Sequence, residues 1–126
     1  MSETAKGDGR ARPAFDLAER TAAFGESIVV FAKALPRAPA TDPLIRQVVR
    51  SGTSVGANYC EADEAPSRKD FRYKISVCKK EIKETKHWLR MIVAAHAAAK
   101  TDATALWKEA EELQRIFAAI YRNTTP

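Results

Sequence analysis

Four side chains in this 126-residue sequence could ligate a soft metal or carry redox chemistry: His87, His96, Cys60 and Cys78. Their spacing argues against both uses. No CxxC or HExxH motif occurs, and two histidines nine residues apart do not share a helix face, where neighbours stand three or four apart. If the chain turns near Ala65–Pro66, Cys60 and Cys78 are offset by about seven residues, or roughly 10 Å of axial rise. A disulfide needs Cα atoms within about 7 Å. We therefore expect two small buried apolar residues. Among the carboxylates, Glu61, Asp63 and Glu64 cluster, and Glu84-Thr-Lys-His87 has the Glu-x-x-His spacing that bundle metal sites use in pairs, but it occurs once. Glu81 and Glu84 stand among lysines, with Lys80 four residues before Glu84, so solvated ion pairs are expected there. Ser51, Ser54 and Asn58 fall on one helical face among glycines and alanines, which suits polar groups buried in a close helix contact and bonded to backbone or to each other. No nucleophile–base arrangement is visible, and Gly52-Thr-Ser-Val-Gly56 lacks the Gly-Lys-Ser/Thr end of a phosphate loop. The residues predict no enzyme, no metal and no cofactor.

Charge is more informative. The chain carries a net +5, yet the segment from Ser67 to Lys100 holds ten cations against Asp70, Glu81 and Glu84, so it alone carries +7. Within it Arg72, Ser76, Lys79, Lys83, Lys86 and Arg90 recur at spacings of four and three, each one residue past the largely apolar seam of Phe71, Ile75, Cys78, Ile82, Thr85 and Leu89, with Lys80 close beside the row. At about 100° per residue such a row stands beside the buried seam and is expected to face outward. A line of cations without an intervening acid is a ridge for the phosphates of a nucleic acid backbone. The competing reading is a solvated face neutralised by Glu109, Glu111 and Glu112 of the last helix. Aromatic residues outside the apparent core are sparse, with Tyr73 nearest, so base stacking is expected to add little and phosphate contacts to dominate.

The elements that carry these residues read as four helices. Leu17, Phe24, Ile28, Phe31 and Leu35 mark one face of a first helix that Pro36 and Pro39 end. Thr41-Asp42-Pro43 opens a second, with Asp42 as its cap and a stripe of Leu44/Ile45, Val48, Gly52, Val55, Tyr59 and Ala62. Gly52 and Gly56 each weaken a helix by about 1 kcal/mol relative to Ala, and a strand over Thr53–Tyr59 is the rival. Helix is preferred, because small residues at this spacing let a neighbouring helix approach closely. The capping box Ser67-x-x-Asp70 starts a third helix, predicted from about Arg68 to Ala98, with the seam Phe71, Ile75, Cys78, Ile82, Thr85, Leu89 and Ile92. Thr101-Asp102 is expected to cap a fourth, with the seam Leu106, Ala110, Leu113, Phe117 and Ile120. The predicted fold is all-α: an antiparallel up-and-down four-helix bundle over residues 14–123, behind a disordered tail over 1–13. The first helix is apolar nearly all round from Ile28 to Leu35, and Val29, Val30 and Ala34, with Trp88 and Met91 off the third seam, predict a surface buried between copies of the chain. No apolar run is long enough to span a membrane, the N-terminus has no signal-like apolar stretch, and two cysteines suit a reducing compartment, so a cytoplasmic protein is expected.

Arg50-Ser-Gly-Thr-Ser-Val-Gly-Ala-Asn-Tyr-Cys-Glu-Ala62, then Ser67-Arg-Lys-Asp-Phe71, then Lys80-Glu81 and Glu84-Thr-x-x-Trp-Leu-Arg90 resemble the four helix bundle protein family. Its members were first noticed as reading frames in intervening sequences of large-subunit ribosomal RNA genes and are related to accessory proteins of diversity-generating retroelements. The resemblance, over about Phe15 to Tyr121, implies an up-down bundle assembling as a ring-shaped pentamer, with RNA or DNA binding as its proposed role. It also implies a partner protein such as a reverse transcriptase, and it brings no catalytic residues. The alternative function it leaves open is a protein-binding adaptor or scaffold ring, for which the acidic clusters Glu61–Glu64 and Glu109–Glu112 would be the docking features.

Overall fold

The computed structural model describes residues 16–125, which form four helices and no strand. The tail expected over residues 1–13 lies outside the described residues. Helix α1 is Leu17–Lys33, α2 Asp42–Asp63, α3 Arg68–Ala95 and α4 Lys100–Asn123, with a single 3₁₀ turn at Ala97–Ala99 before α4.

Each helix packs on its neighbours in sequence, and α1 meets α4 only lightly, while across one diagonal the Tyr59 ring of α2 meets the Phe117 ring of α4 in the core, their centroids 6.2 Å apart. The pairings run in opposite directions. Thr21 faces Gly56 and Ile28 faces Gly52 between α1 and α2. Lys74 faces Glu61 and Glu81 faces Arg50 between α2 and α3. Arg72 meets Tyr121 and Lys86 meets Glu111 between α3 and α4. The result is an antiparallel up-and-down bundle.

The expected seams are the core. Phe24, Ile28, Val48, Val55, Ile75, Cys78, Ile82, Leu89, Ile92, Ala110, Leu113 and Phe117 are all essentially removed from solvent. The glycine-rich stretch Ser51–Tyr59 is helical throughout. A Cβ built on Gly52 would stand 2.9 Å from both Cγ atoms of Ile28, so only glycine lets α1 approach this closely.

Local capping departs from expectation in two places. Ser67 caps α3 as predicted, in an extended conformation and with its hydroxyl accepting from the Asp70 N–H at 3.1 Å. Asp42 is no cap: Thr41 occupies that position without a capping bond, its hydroxyl donating instead to the Pro36 carbonyl at 2.9 Å, while the Asp42 carboxylate accepts from Arg37 Nε and the Ala38 N–H in the preceding turn. Thr101-Asp102 does not cap α4 either, because the helix continues straight from the 3₁₀ turn with Ala99 at the cap position. For the same reason α3 stops at Ala95 rather than Ala98.

Candidate nucleic-acid interface

The cationic row lies along α3, but three of its members turn toward α4. Arg72 Nε donates to the Tyr121 carbonyl at 3.3 Å, with its guanidinium carbon 3.7 Å from the centre of the Tyr121 ring. Lys79 holds its ammonium 4.6 Å from the same ring centre. Lys86 donates to Glu111 and, at 2.9 Å, to Gln114 Oε1, and its ammonium stands 4.4 Å from the centre of the Trp107 ring. The expected outward direction is therefore wrong for these side chains. The geometry explains why. On α4, Trp107, Glu111, Gln114 and Tyr121 each stand one residue past the seam positions Leu106, Ala110, Leu113 and Ile120. In an antiparallel helix pair the equivalent flanks of the two seams face each other, so the α3 flank meets this α4 flank.

These neighbours do not neutralise equally. Lys86 meets a carboxylate, and its hydrogen bond holds Glu111 below the usual carboxylate range. Arg72 and Lys79 meet a neutral ring, which orients a cation without cancelling its charge. Lys80, Lys83 and Arg90 are exposed and have no ion-pair partner among the described residues. Five of the six proposed ligands thus keep an uncompensated charge, on a face spanning about 100° of the helix. The two other acids expected to neutralise the ridge are engaged elsewhere: Glu109 and Glu112 both accept from Arg20 of α1, at 2.7 and 2.6 Å.

Other candidate groups serve packing. Ser51 and Thr85 are fully buried with their hydroxyls 2.9 Å apart, and Thr85 Oγ1 lies 2.8 Å from the Glu81 carbonyl. Ser54 donates to the Ser51 carbonyl and Asn58 to the Ser54 carbonyl, so both are bonded along their own helix. Glu81, expected among solvated lysines, is buried and takes Arg50 Nη1 at 3.1 Å, while Glu84 takes Nη2 at 2.5 Å. Cys78 is buried against the Val55 carbonyl, and burial pushes its thiol up to about 12, which leaves it protonated and unreactive. Cys60 is exposed rather than buried, a correction to the expectation for the pair. Among the described residues no three His, Cys, Asp or Glu side chains are grouped to hold a metal ion. No helix among them is long and apolar enough to cross a membrane.

The residues expected between copies divide. Val30 is 67 % exposed and Ala34 is exposed, while Val29 lines two adjoining grooves between α1 and α2. Met91 is half-buried. Trp88, also half-buried, packs against the core within the chain, with its Nε1 buried and unpartnered among the described residues. Sequence reasoning missed Trp107, which is 40 % exposed beside the cationic row. A signal for it exists, since its offset from Leu106 equals that of Lys86 from Thr85.

No curated protein matches the sequence significantly. Among solved structures the chain is similar to a protein of unknown function from the S23 ribosomal protein family of Bacteroides thetaiotaomicron VPI-5482. The two are 27% identical with a TM-score of 0.75, over 85% of this chain and 99% of that one. The 23S rRNA-intervening sequence protein family matches residues 14–119, the whole bundle less its last turn. With its signature stretch of α2 and α3 folded as the resemblance implied, the chain belongs to the 23S rRNA-intervening sequence protein family.

Proposed function

We propose that this is a non-enzymatic, self-associating protein that binds nucleic acid, RNA in the first place, through the exposed cationic face of α3. The observation that carries the reading is the trio Lys80, Lys83 and Arg90, exposed without a carboxylate partner among the described residues and flanked by Arg72 and Lys79 over a neutral ring. Such a face attracts phosphates irrespective of sequence, by releasing the counterions condensed on the nucleic acid. Self-association, as the ring-shaped pentamer the resemblance implies, would repeat the face and add weak contacts by multivalency. Exposed Val30 and the apolar grooves beside Val29 support an interface on the outer side of α1 and α2. The adaptor reading is weakened because Glu109, Glu111 and Glu112 are engaged by Arg20 and Lys86.

The test replaces only free cations. The double variant Lys80→Glu, Lys83→Glu should bind both duplex and single-stranded nucleic acid at least about tenfold more weakly. Its log–log salt slope should be shallower by about one for each phosphate that the variant no longer neutralises. Circular dichroism should be unchanged. Lys86 is excluded from the variant, since a glutamate there would face Glu111 and disturb the packing of α3 on α4. If the double variant binds as the parent does, the cationic face is only a solvated surface and the adaptor reading takes its place.

A further inference from the structure

At the end of the bundle where α3 finishes and α4 begins, a groove of about 330 Å³ is lined by Leu89, Arg90, Val93, Lys100, Ala103, Thr104 and Trp107. That volume is within the usual range for a small-ligand site, about 300–1,000 Å³. Its composition is specific. Leu89, Val93 and Ala103 make an apolar floor, the indole of Trp107 supplies a planar aromatic surface, and Arg90 and Lys100 stand exposed at the rim. No carboxylate lines it, and neither cation has an ion-pair partner among the described residues. Lys86 does not line the groove. It rests on Trp107 and is itself held by Glu111 and Gln114, so the indole is braced from one side. An aromatic surface left 40 % exposed, braced, and paired with two unopposed cations suits a flat apolar group carrying negative charge.

We propose that this groove holds one unpaired base of a single-stranded nucleic acid, stacked on Trp107, with the adjoining phosphates on Arg90 and Lys100. The proposal rests on the nucleic-acid reading above and extends it, because Arg90 belongs both to the α3 face and to the groove rim. A strand running along Lys83 and Lys80 would leave its end base at this mouth. Duplex nucleic acid keeps its bases stacked inside and can use the cationic face alone. The groove therefore makes the protein prefer single strands, contrary to the expectation that stacking contributes little.

The experiment compares binding of a short single-stranded oligonucleotide and its duplex by the full chain and by Trp107→Ala, Trp107→Phe and Lys80→Glu, Lys83→Glu. Truncation of Trp107 should weaken single-strand binding about five- to 150-fold, the range for loss of one stacked base, and leave duplex binding within about twofold. Trp107→Phe should recover most of the loss, since it keeps a stacking face. An abasic oligonucleotide should not distinguish the parent from Trp107→Ala. Trp107 is partly exposed, so these variants should keep the parent's circular dichroism. If Trp107→Ala binds single strands as the parent does while Lys80→Glu, Lys83→Glu has lost both ligands, the groove proposal fails and the cationic face stands. If the parent binds neither ligand, both readings fail together. Equal loss of single-strand and duplex binding in Trp107→Ala also overturns the groove, because it would mean disturbance of the neighbouring cations.

Discussion

Gly52 and Ile28 show how one missing side chain sets a helix pair. A Cβ at Gly52 would come within 2.9 Å of Cγ1 and Cγ2 of Ile28, a fully buried branched residue that cannot swing away. Gly25, across the same helix pair, leaves 3.5 Å to the Cα of Thr53, an ordinary van der Waals distance. The two glycines should respond oppositely to the same change. Gly25→Ala should stabilise the bundle by up to about 1 kcal/mol through helix propensity. Gly52→Ala should destabilise it by about 1–2 kcal/mol, since overpacking exceeds the propensity gain. Paired urea denaturations check this, and equal signs would mean that the close approach is not what holds Gly52 in place. The Ser51–Thr85 bond is local evidence of the same closeness between α2 and α3.

Between elements, the informative junction is the one that joins α3 to α4 along their flanks. Lys86 lies 17% exposed between Glu111 and Gln114, and its proximity lowers the Glu111 carboxyl. A carboxyl lowered by folding stabilises the native state above its unfolded value, about 4.3 for Glu, and that contribution disappears as pH falls through the lowered folded value. Glu111→Gln should therefore be less stable than the parent at neutral pH, with the gap closing as the solution is acidified below about pH 4.3. Denaturant midpoints at neutral and acid pH measure it; a gap that stays constant would assign the loss to packing instead. High salt should narrow the gap only modestly, since both side chains are largely covered.

For the molecule as a whole, the unexplained surface is on α1. Val30 is 67 % exposed on a helix whose inner face is already filled by Phe24, Ile28 and Phe31. A helix apolar on more than one side is buried on more than one side, and within one chain nothing among the described residues covers this one. The parent should run in light scattering as a multiple of 13.9 kDa, five copies by the resemblance, and Val30→Glu should shift it toward the single-chain mass with helicity retained. A single-chain mass for the parent at micromolar concentration would end the self-association reading. Loss of assembly in Val30→Glu should also weaken nucleic-acid binding, since each chain would then engage alone.

Helix number, seams and topology class were legible in the residues because each rests on local periodicity: the heptad from Phe71 to Ile92 and the apolar spacing from Leu17 to Leu35 put the same residues inside whatever the neighbours do. Ser67 was legible as a cap because its partner, the Asp70 N–H, is three residues away. Asp42 was not, since Arg37 and Ala38 reach its carboxylate only through the path of the turn. The sum of charge on α3 was likewise written in the sequence, but its direction was not. Which lysine meets Glu111, which meets Tyr121 and which stays in water depends on the rotation of α4 against α3. Arg20, far away in sequence, decided the fate of Glu109 and Glu112. Periodicity determines which face a helix buries, whereas the identity of an ion pair depends on the angle and register of two helices, and those are set only when the whole core has packed.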